Sequence, residues 1–281
     1  MKKLLALSLA FTMALSLTAC KKATVLASPS PAAASAQPSA APVNLTVFAA
    51  ASMTETLNKV IDLYKGVAPN VTITPTFDSS GTLMTQISEG ANCDLFISAA
   101  QKQMDSLDAT KGTDKNPKKL DFIDPKTRVN LLENKVVLVV PKNDPANIKS
   151  FKDIANCKMI ALGNSDVPVG SYSLKVLKSL GLDAASLEKA GKITYGSNVK
   201  EVTTHVSEGT VDCGIVYATD AYSAGLEVVD TATAEMCGQV IYPAAVLKAS
   251  KNADAAKAFL DFLKTDKATA VFESVGFSAL K

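Results

Sequence analysis

The chain has 281 residues, with 29 Lys and Arg against 27 Asp and Glu, five Cys, one His and no Trp, which allows one large or two medium domains. The near-neutral balance argues against nucleic acid as a partner, because phosphates need a clustered basic surface. One arginine, Arg128, excludes an anion site built from several guanidinium forks, and one histidine, His205, excludes a multi-histidine metal site.

At the N-terminus, Lys2 and Lys3 precede an apolar run from Leu4 to Leu17. That is a charged region followed by a short hydrophobic one, as in a signal peptide spanning 1–19, and it is too short for a comfortable membrane span. The run ends in Leu17-Thr18-Ala19-Cys20, which resembles the lipobox of bacterial lipoproteins, in which the Cys is acylated. The expectation is a lipid-anchored extracytoplasmic protein attached through Cys20. Without Lys2 and Lys3 the formal charge is zero, 27 basic against 27 acidic side chains. Residues 20–42 are mostly Ala, Ser and Pro after the Cys and read as a disordered tether, since they hold too little apolar bulk to bury.

From residue 43 onward, apolar alternation and apolar runs predict strands at Leu45–Ala49, Val71–Phe77, Asp94–Ser98, Val136–Val140, Met159–Leu162, Lys192–Tyr195, Gly214–Tyr217 and Val240–Val246. Helical spacing predicts helices at Met53–Tyr64, Thr82–Ser88, Lys102–Leu107, Ser171–Leu180, Val199–Ser207 and Ala253–Phe262. Strand and helix alternate throughout, which argues for an α/β protein with mixed, mostly parallel sheets. In such sheets ligands sit beyond the carboxyl ends of the strands, where helices begin.

Four cysteines follow the tether: Cys93, Cys157, Cys213 and Cys237. An even number outside the cytoplasm permits two disulfides by three connectivities. The spacing has no C-x-x-C and no zinc pattern. Cys93 and Cys213 each open an apolar run, where small buried free thiols are expected.

An internal echo divides the folded part. Thr85, Ser88, Glu89 and Gly90 recur 119 positions later as Thr204, Ser207, Glu208 and Gly209. Leu83, Ile87, Phe96 and Ile97 likewise match the apolar Val202, Val206, Ile215 and Val216. Both segments read as helix, Gly stop, then strand. They are expected to be corresponding pieces of two similar lobes, 43–132 with 240–281 and 133–239. On the same offset Ser80 matches Val199, so two helix N-termini could face one cleft and grip an anion without formal positive charge.

Three helix starts stand out. Ser52-Met53-Thr54-Glu55 reads as a capping box directly after the first strand. Asp78-Ser79-Ser80-Gly81 is a small polar turn, and Asn198-Val199-Lys200-Glu201 carries an N-cap Asn. Val47-Phe48-Ala49-Ala50-Ala51-Ser52 resembles the first-strand signature of the periplasmic molybdate-binding proteins of ABC transporters. The resemblance continues in order through Phe77–Gly81, Asp94–Ala99, Val167–Gly170, Asn198–Lys200, Gly214–Asp220, Tyr242-Pro243 and Gly276-Phe277. It covers the whole folded part.

That resemblance implies a two-lobed type II periplasmic-binding fold that holds molybdate or tungstate in the interlobe cleft. It implies no cofactor and no catalysis, an ABC permease as partner and a monomer. It also implies an oxyanion site in which Ser52, Ser80 and Tyr217 donate hydroxyl hydrogen bonds, while Val169 and Val199 donate backbone N–H groups. Val169 replaces a common Ala and is expected to add bulk near the ligand.

The other candidates read as structural. His205 is expected on a helix surface, Arg128 in an ion pair near the first crossing between lobes, and Asp220 as a cap or an orienter of donors. Tyr222 and Tyr242 are expected to pack. Competing readings are a receptor for sulfate, phosphate or another tetrahedral anion, a ligand-sensing surface lipoprotein, and an extracytoplasmic hydrolase with Ser52 or Ser80 as nucleophile.

Overall fold

The computed structural model describes residues 41–280. The signal segment, Cys20 and nearly all of the tether lie outside the described residues. Eleven strands and ten α-helices follow. They are β1 (Val43–Ala50), α1 (Thr54–Lys65), β2 (Val71–Asp78), α2 (Ser80–Ser88), β3 (Leu95–Ile97), α3 (Gln101–Asp105), β4 (Val129–Asn134), β5 (Val136–Val140), β6 (Ile160–Gly163), α4 (Pro168–Ser179) and α5 (Ala184–Lys189). The chain continues through β7 (Ile193–Gly196), α6 (Val199–Ser207), β8 (Cys213–Tyr217), α7 (Ala218–Ala224), β9 (Glu227–Thr231), α8 (Ala234–Cys237), β10 (Val240–Val246), α9 (Ala253–Leu263), α10 (Asp266–Glu273) and β11 (Ser278–Ala279). Two 3-10 turns, Ala51–Met53 and Phe151–Asn156, complete the set.

The strands form two sheets, ordered β11-β4-β10-β3-β1-β2 and β7-β6-β8-β5-β9. β1 pairs parallel with β2 and β3, as β6 does with β7 and β8. Inside the first sheet β10 runs backwards, antiparallel to β3 and β4, and inside the second β5 does, antiparallel to β8 and β9. β11 adds an antiparallel edge to β4. Most strands therefore point one way, while the reversed strands make five of the nine pairings antiparallel. The reversals arise where the chain changes sheets. Only Lys135 separates β4 from β5, which places this crossing two residues beyond the 132/133 boundary read from sequence, and the return runs from β9 to β10.

The longer helices cover the sheets with one apolar stripe. In α1 the buried Leu57, Val60, Ile61 and Tyr64 recur at helical spacing. Tyr64 meets Phe259 and Phe262 of α9 with ring centroids 5.0 Å apart. β5 is Val-Val-Leu-Val-Val and wholly buried, as expected of a strand covered on both faces. The echo has a plain structural counterpart. Helices α2 and α6 are both nine residues long and are offset by 119 at each end. Gly90 and Gly209 follow them with φ of 94° and 66°, the left-handed conformation that glycine adopts freely.

β4, β9, β11 and the helices α5, α7, α8 and α10 are not among the predicted elements. β9 has no buried residue, so it carries no alternation to read. α7 and α8 span seven and four residues, too short for a helical period to emerge.

Candidate functional site

Six strands deliver the site from their carboxyl ends. A small pocket is lined by Ala50, Ala51 and Ser52 after β1, Asp78, Ser79 and Ser80 after β2, and Ala99 after β3. The second lobe supplies Val167 and Pro168 after β6, Val199 after β7, and Tyr217 at the end of β8. The topologically equivalent strands of the two sheets thus converge on one spot. The cavity between the walls measures about 10 Å³, so the two lobes stand nearly closed on one another.

Helix starts surround this pocket. Ser79 caps α2 by accepting from the Thr82 N–H at 3.0 Å, and Asn198 caps α6 by accepting from the Glu201 N–H at 3.2 Å. Pro168 opens α4, where its fixed φ and missing donor cost nothing. Gly170 lets that first turn press on the preceding strand end, since a Cβ there would lie 2.3 Å from the carbonyl oxygens of Gly163 and Asn164. The backbone N–H groups of Ser80, Val169 and Val199 have no hydrogen-bond partner among the described residues. They are the free donors that every helix N-terminus leaves.

The capping box expected at Ser52–Glu55 does not form. β1 passes into a 3-10 turn, and α1 begins after Met53 with no side-chain cap. Both polar residues are used elsewhere. The Ser52 Oγ lies 2.8 Å from the Tyr242 hydroxyl, and Glu55 reaches across the cleft to Lys200.

The hydroxyls at the pocket are joined by hydrogen bonds to neighbouring segments. Asn134 Nδ2 donates to the Tyr242 hydroxyl at 3.2 Å and to Thr219 Oγ1 at 2.9 Å. Either hydroxyl can donate in the Ser52–Tyr242 bond, and when Tyr242 donates the Ser52 proton is left for a ligand. Tyr242 is thus more than the packing residue expected. Ser80 Oγ accepts from the Ala99 N–H at 2.9 Å, so the Ser80 proton is also available. The Tyr217 hydroxyl is buried and has no partner among the described residues. Burial holds the phenols of Tyr217 and Tyr242 well above the usual tyrosine value, so both stay protonated donors.

Ser52, Ser80, Val199 and Tyr217 all line the pocket. Val169 does not; it follows the lining Pro168, and its side chain is fully buried in the apolar core. Its bulk is spent in the core, not beside the pocket. Asp78 and Ser79 also line the pocket, whereas sequence reasoning named them only as part of the polar turn. The Asp78 Oδ1 accepts from the Ser79 N–H at 2.6 Å.

Asp220 caps no helix. It is fully buried, 3.3 Å from Lys200 Nζ, without hydrogen-bond alignment at either oxygen. Desolvation pushes its carboxyl up to about 7, against the opposing charge of Lys200 and with the like charge of Glu55. Arg128 makes the expected structural pairs, with Asp108 at 2.8 Å and Asp105 at 2.5 Å. His205 is half-buried in the last turn of α6. Neither serine contacts a histidine: the hydrogen bonds of Ser52 and Ser80 go to Tyr242 and Ala99. Among the described residues no group of His, Cys, Asp and Glu is placed to hold a metal ion.

Two βα lobes closing on a pocket of donors define a two-lobed receptor of the type II periplasmic-binding fold. The sequence profile described as "Bacterial extracellular solute-binding protein" matches residues 45–278, and the chain belongs to that family. It is 37% identical over 243 residues to YvgL of Bacillus subtilis, assigned as an ABC transporter substrate-binding lipoprotein, covering 84% of this chain and 87% of that protein. It is 35% identical over 246 residues to the molybdate-binding protein ModA of Escherichia coli, covering 83% and 88%. Among solved structures, one from Clostridium difficile, assigned as the substrate binding domain of a molybdenum ABC transporter, aligns with a TM-score of 0.63 and 35% identity over 85% of this chain and 100% of that one.

Proposed function

We propose that this chain captures molybdate and tungstate outside the cytoplasm and delivers them to an ABC permease, held to the membrane through a lipid on Cys20. It acts as a monomer, needs no cofactor and carries out no covalent chemistry. Ser52, Ser80 and Tyr217 give hydroxyl hydrogen bonds to the oxyanion, and Val169 and Val199 give backbone N–H groups.

The observation that carries this reading is the Tyr217 hydroxyl, a buried donor without a partner among the described residues, beside two serines that can each offer a proton. Leaving a buried polar group unmatched costs about 1–3 kcal/mol, so its presence calls for a ligand acceptor. A tetrahedral oxyanion presents only acceptors. Neutral donors and helix starts suit it without the long-range attraction that collects anions indiscriminately. The pocket is also far smaller than the roughly 300–1,000 Å³ of sites for drug-sized molecules, which weighs against an organic ligand of that size. The names of the relatives point to the same ligand, and that of YvgL supports the lipid anchor.

Lobe closure buries the ion, and the closed surface docks on the permease. Cavity size sets the choice among oxyanions, because sulfate is smaller and costs more to dehydrate. The test is thermal unfolding with molybdate, tungstate, sulfate and phosphate. Ligand at about 1,000 times its dissociation constant adds roughly 4 kcal/mol, a Tm rise of roughly 8–16 °C. A rise with molybdate and tungstate alone is expected. A rise with sulfate or phosphate instead overturns the ligand and keeps the site.

A further inference from the structure

The second lobe holds a pair of thiols that the oxyanion site does not use. Cys157 follows the 3-10 turn Phe151–Asn156, and Cys213 opens β8, 56 residues later. Their sulfurs lie 3.3 Å apart, and both residues are buried. The backbone around them is pinned on either side. Asp212 Oδ2 accepts from the N–H groups of Lys158 and Met159, the Asp212 N–H donates to the Met159 carbonyl, and Ile160 pairs with Cys213 in the sheet. The two chains are thus already held side by side where a bridge would join them.

The thiols of the other two cysteines past the tether bond to no sulfur among the described residues. The Cys93 thiol donates to the Leu95 carbonyl, and the Cys237 thiol faces the carbonyls of Thr233 and Gly238. Of the possible connectivities, the structure favours one pair alone. The family is extracellular, a setting in which disulfides persist.

We propose that Cys157 and Cys213 form a structural disulfide that ties the entry of β6 to the start of β8, while Cys93 and Cys237 remain thiols. The oxidant is a disulfide-exchange donor, such as the disulfide of an extracytoplasmic thiol oxidoreductase. The Cys157 thiolate attacks one sulfur of the donor and expels the other as a thiolate. Cys213 then gives up its proton and attacks the Cys157 sulfur, releasing the second donor thiolate. Two protein thiols lose two electrons and two protons, and the donor disulfide becomes two thiols. The order of attack follows from the surroundings. The Cys213 hydrogen bond, with help from the charge of Lys192, holds the Cys157 thiol below its usual value, and the same contact together with burial pushes Cys213 up. Because both sulfurs are buried, the bridge forms before the second lobe closes over it and is shielded afterwards.

The bridge also bears on the pocket, since β8 ends at Tyr217. The assignment rests on the sulfur geometry and not on the identity of the ligand. The test uses the full chain recovered from the extracytoplasmic side, alkylated in denaturant without reductant and cut with trypsin and Glu-C. A linked pair of peptides, 153–158 with 209–227, is expected, lost on reduction. The Tm should fall by about 5–15 °C on reduction, and the Cys157→Ala, Cys213→Ala double variant should show no such response. Alkylation of both Cys157 and Cys213 without reductant, even after refolding with oxidised glutathione, overturns the proposal. So does a link from either residue to Cys237.

Discussion

Lys200 of the second lobe grips Glu55 of the first, its Nζ lying 2.9 Å from each carboxylate oxygen. The same ammonium stands 3.3 Å from the buried Asp220. One side chain thus links the two lobes at the edge of the pocket and neutralises a carboxylate beneath it. Glu55 is 43% exposed and Lys200 30%, so solvent screens the cross-cleft pair. Its coupling, read from a Glu55→Gln, Lys200→Met double-mutant cycle on oxyanion affinity, should be no more than about 1 kcal/mol, roughly fivefold. No coupling at all would mean that the contact does not report on closure.

Tyr217→Phe should separate binding from folding. The hydroxyl has no partner among the described residues, so its removal should leave the ligand-free Tm unchanged or slightly higher. Oxyanion affinity should fall by about 1.5–3 kcal/mol, roughly 10- to 100-fold in the dissociation constant by calorimetry. Ser52→Ala should lose affinity similarly, but with some loss of stability, because Tyr242 then lacks its acceptor.

Gly81→Ala tests closure itself. A Cβ at Gly81 in the first lobe would lie 2.1 Å from the Asp166 carbonyl oxygen in the second, a distance no packing tolerates. The variant should fold, yet its lobes should stand further apart by small-angle scattering, with oxyanion affinity lowered at least tenfold. An unchanged radius of gyration and affinity would show that the loop around Asp166 yields instead.

Asp220 sets a pH dependence. Burial raises its carboxyl to about 7 in the folded chain, above the ordinary value of roughly 3.9. A raised value means that folding favours the protonated form. This contribution is full below about pH 4 and is lost as the pH climbs through about 7. Asp220→Asn should remove it, raising the Tm at pH 8 by a few degrees relative to the parent and narrowing the difference at pH 5. Equal differences at both pH values would count against a titrating Asp220.

Asp78 is a carboxylate on the pocket wall, turned towards the Ser79 N–H. Replacing it with Asn keeps an acceptor for that N–H and removes a negative charge beside the ion. Oxyanion affinity should rise by about 1 kcal/mol, roughly fivefold at low salt, and less as salt screens the charge.

The sequence by itself determined the parts whose physics is local. Apolar runs bounded by turns placed β1, β5, β8 and β10. The 119-residue echo marked α2 and α6 as counterparts, because each lobe needs the same helix, glycine stop and strand to cover its sheet. Ser52, Ser80, Val199 and Tyr217 were marked by a motif resemblance, since residues at strand ends and helix starts keep a fixed order along the chain.

Only the tertiary structure decided how those residues are used, because hydrogen-bond competition is settled between distant segments. Ser52 and Glu55 have the spacing of a capping box, yet better partners arrive from Tyr242 and Lys200, 190 and 145 positions away. Asp220 looks like a helix cap, but packing buries it and leaves it a lysine for company. Val169 looks like bulk in the cleft, but α4 turns its side chain into the core. Cys157 and Cys213 carry no spacing rule, and only the pairing of β6 with β8 brings their sulfurs together.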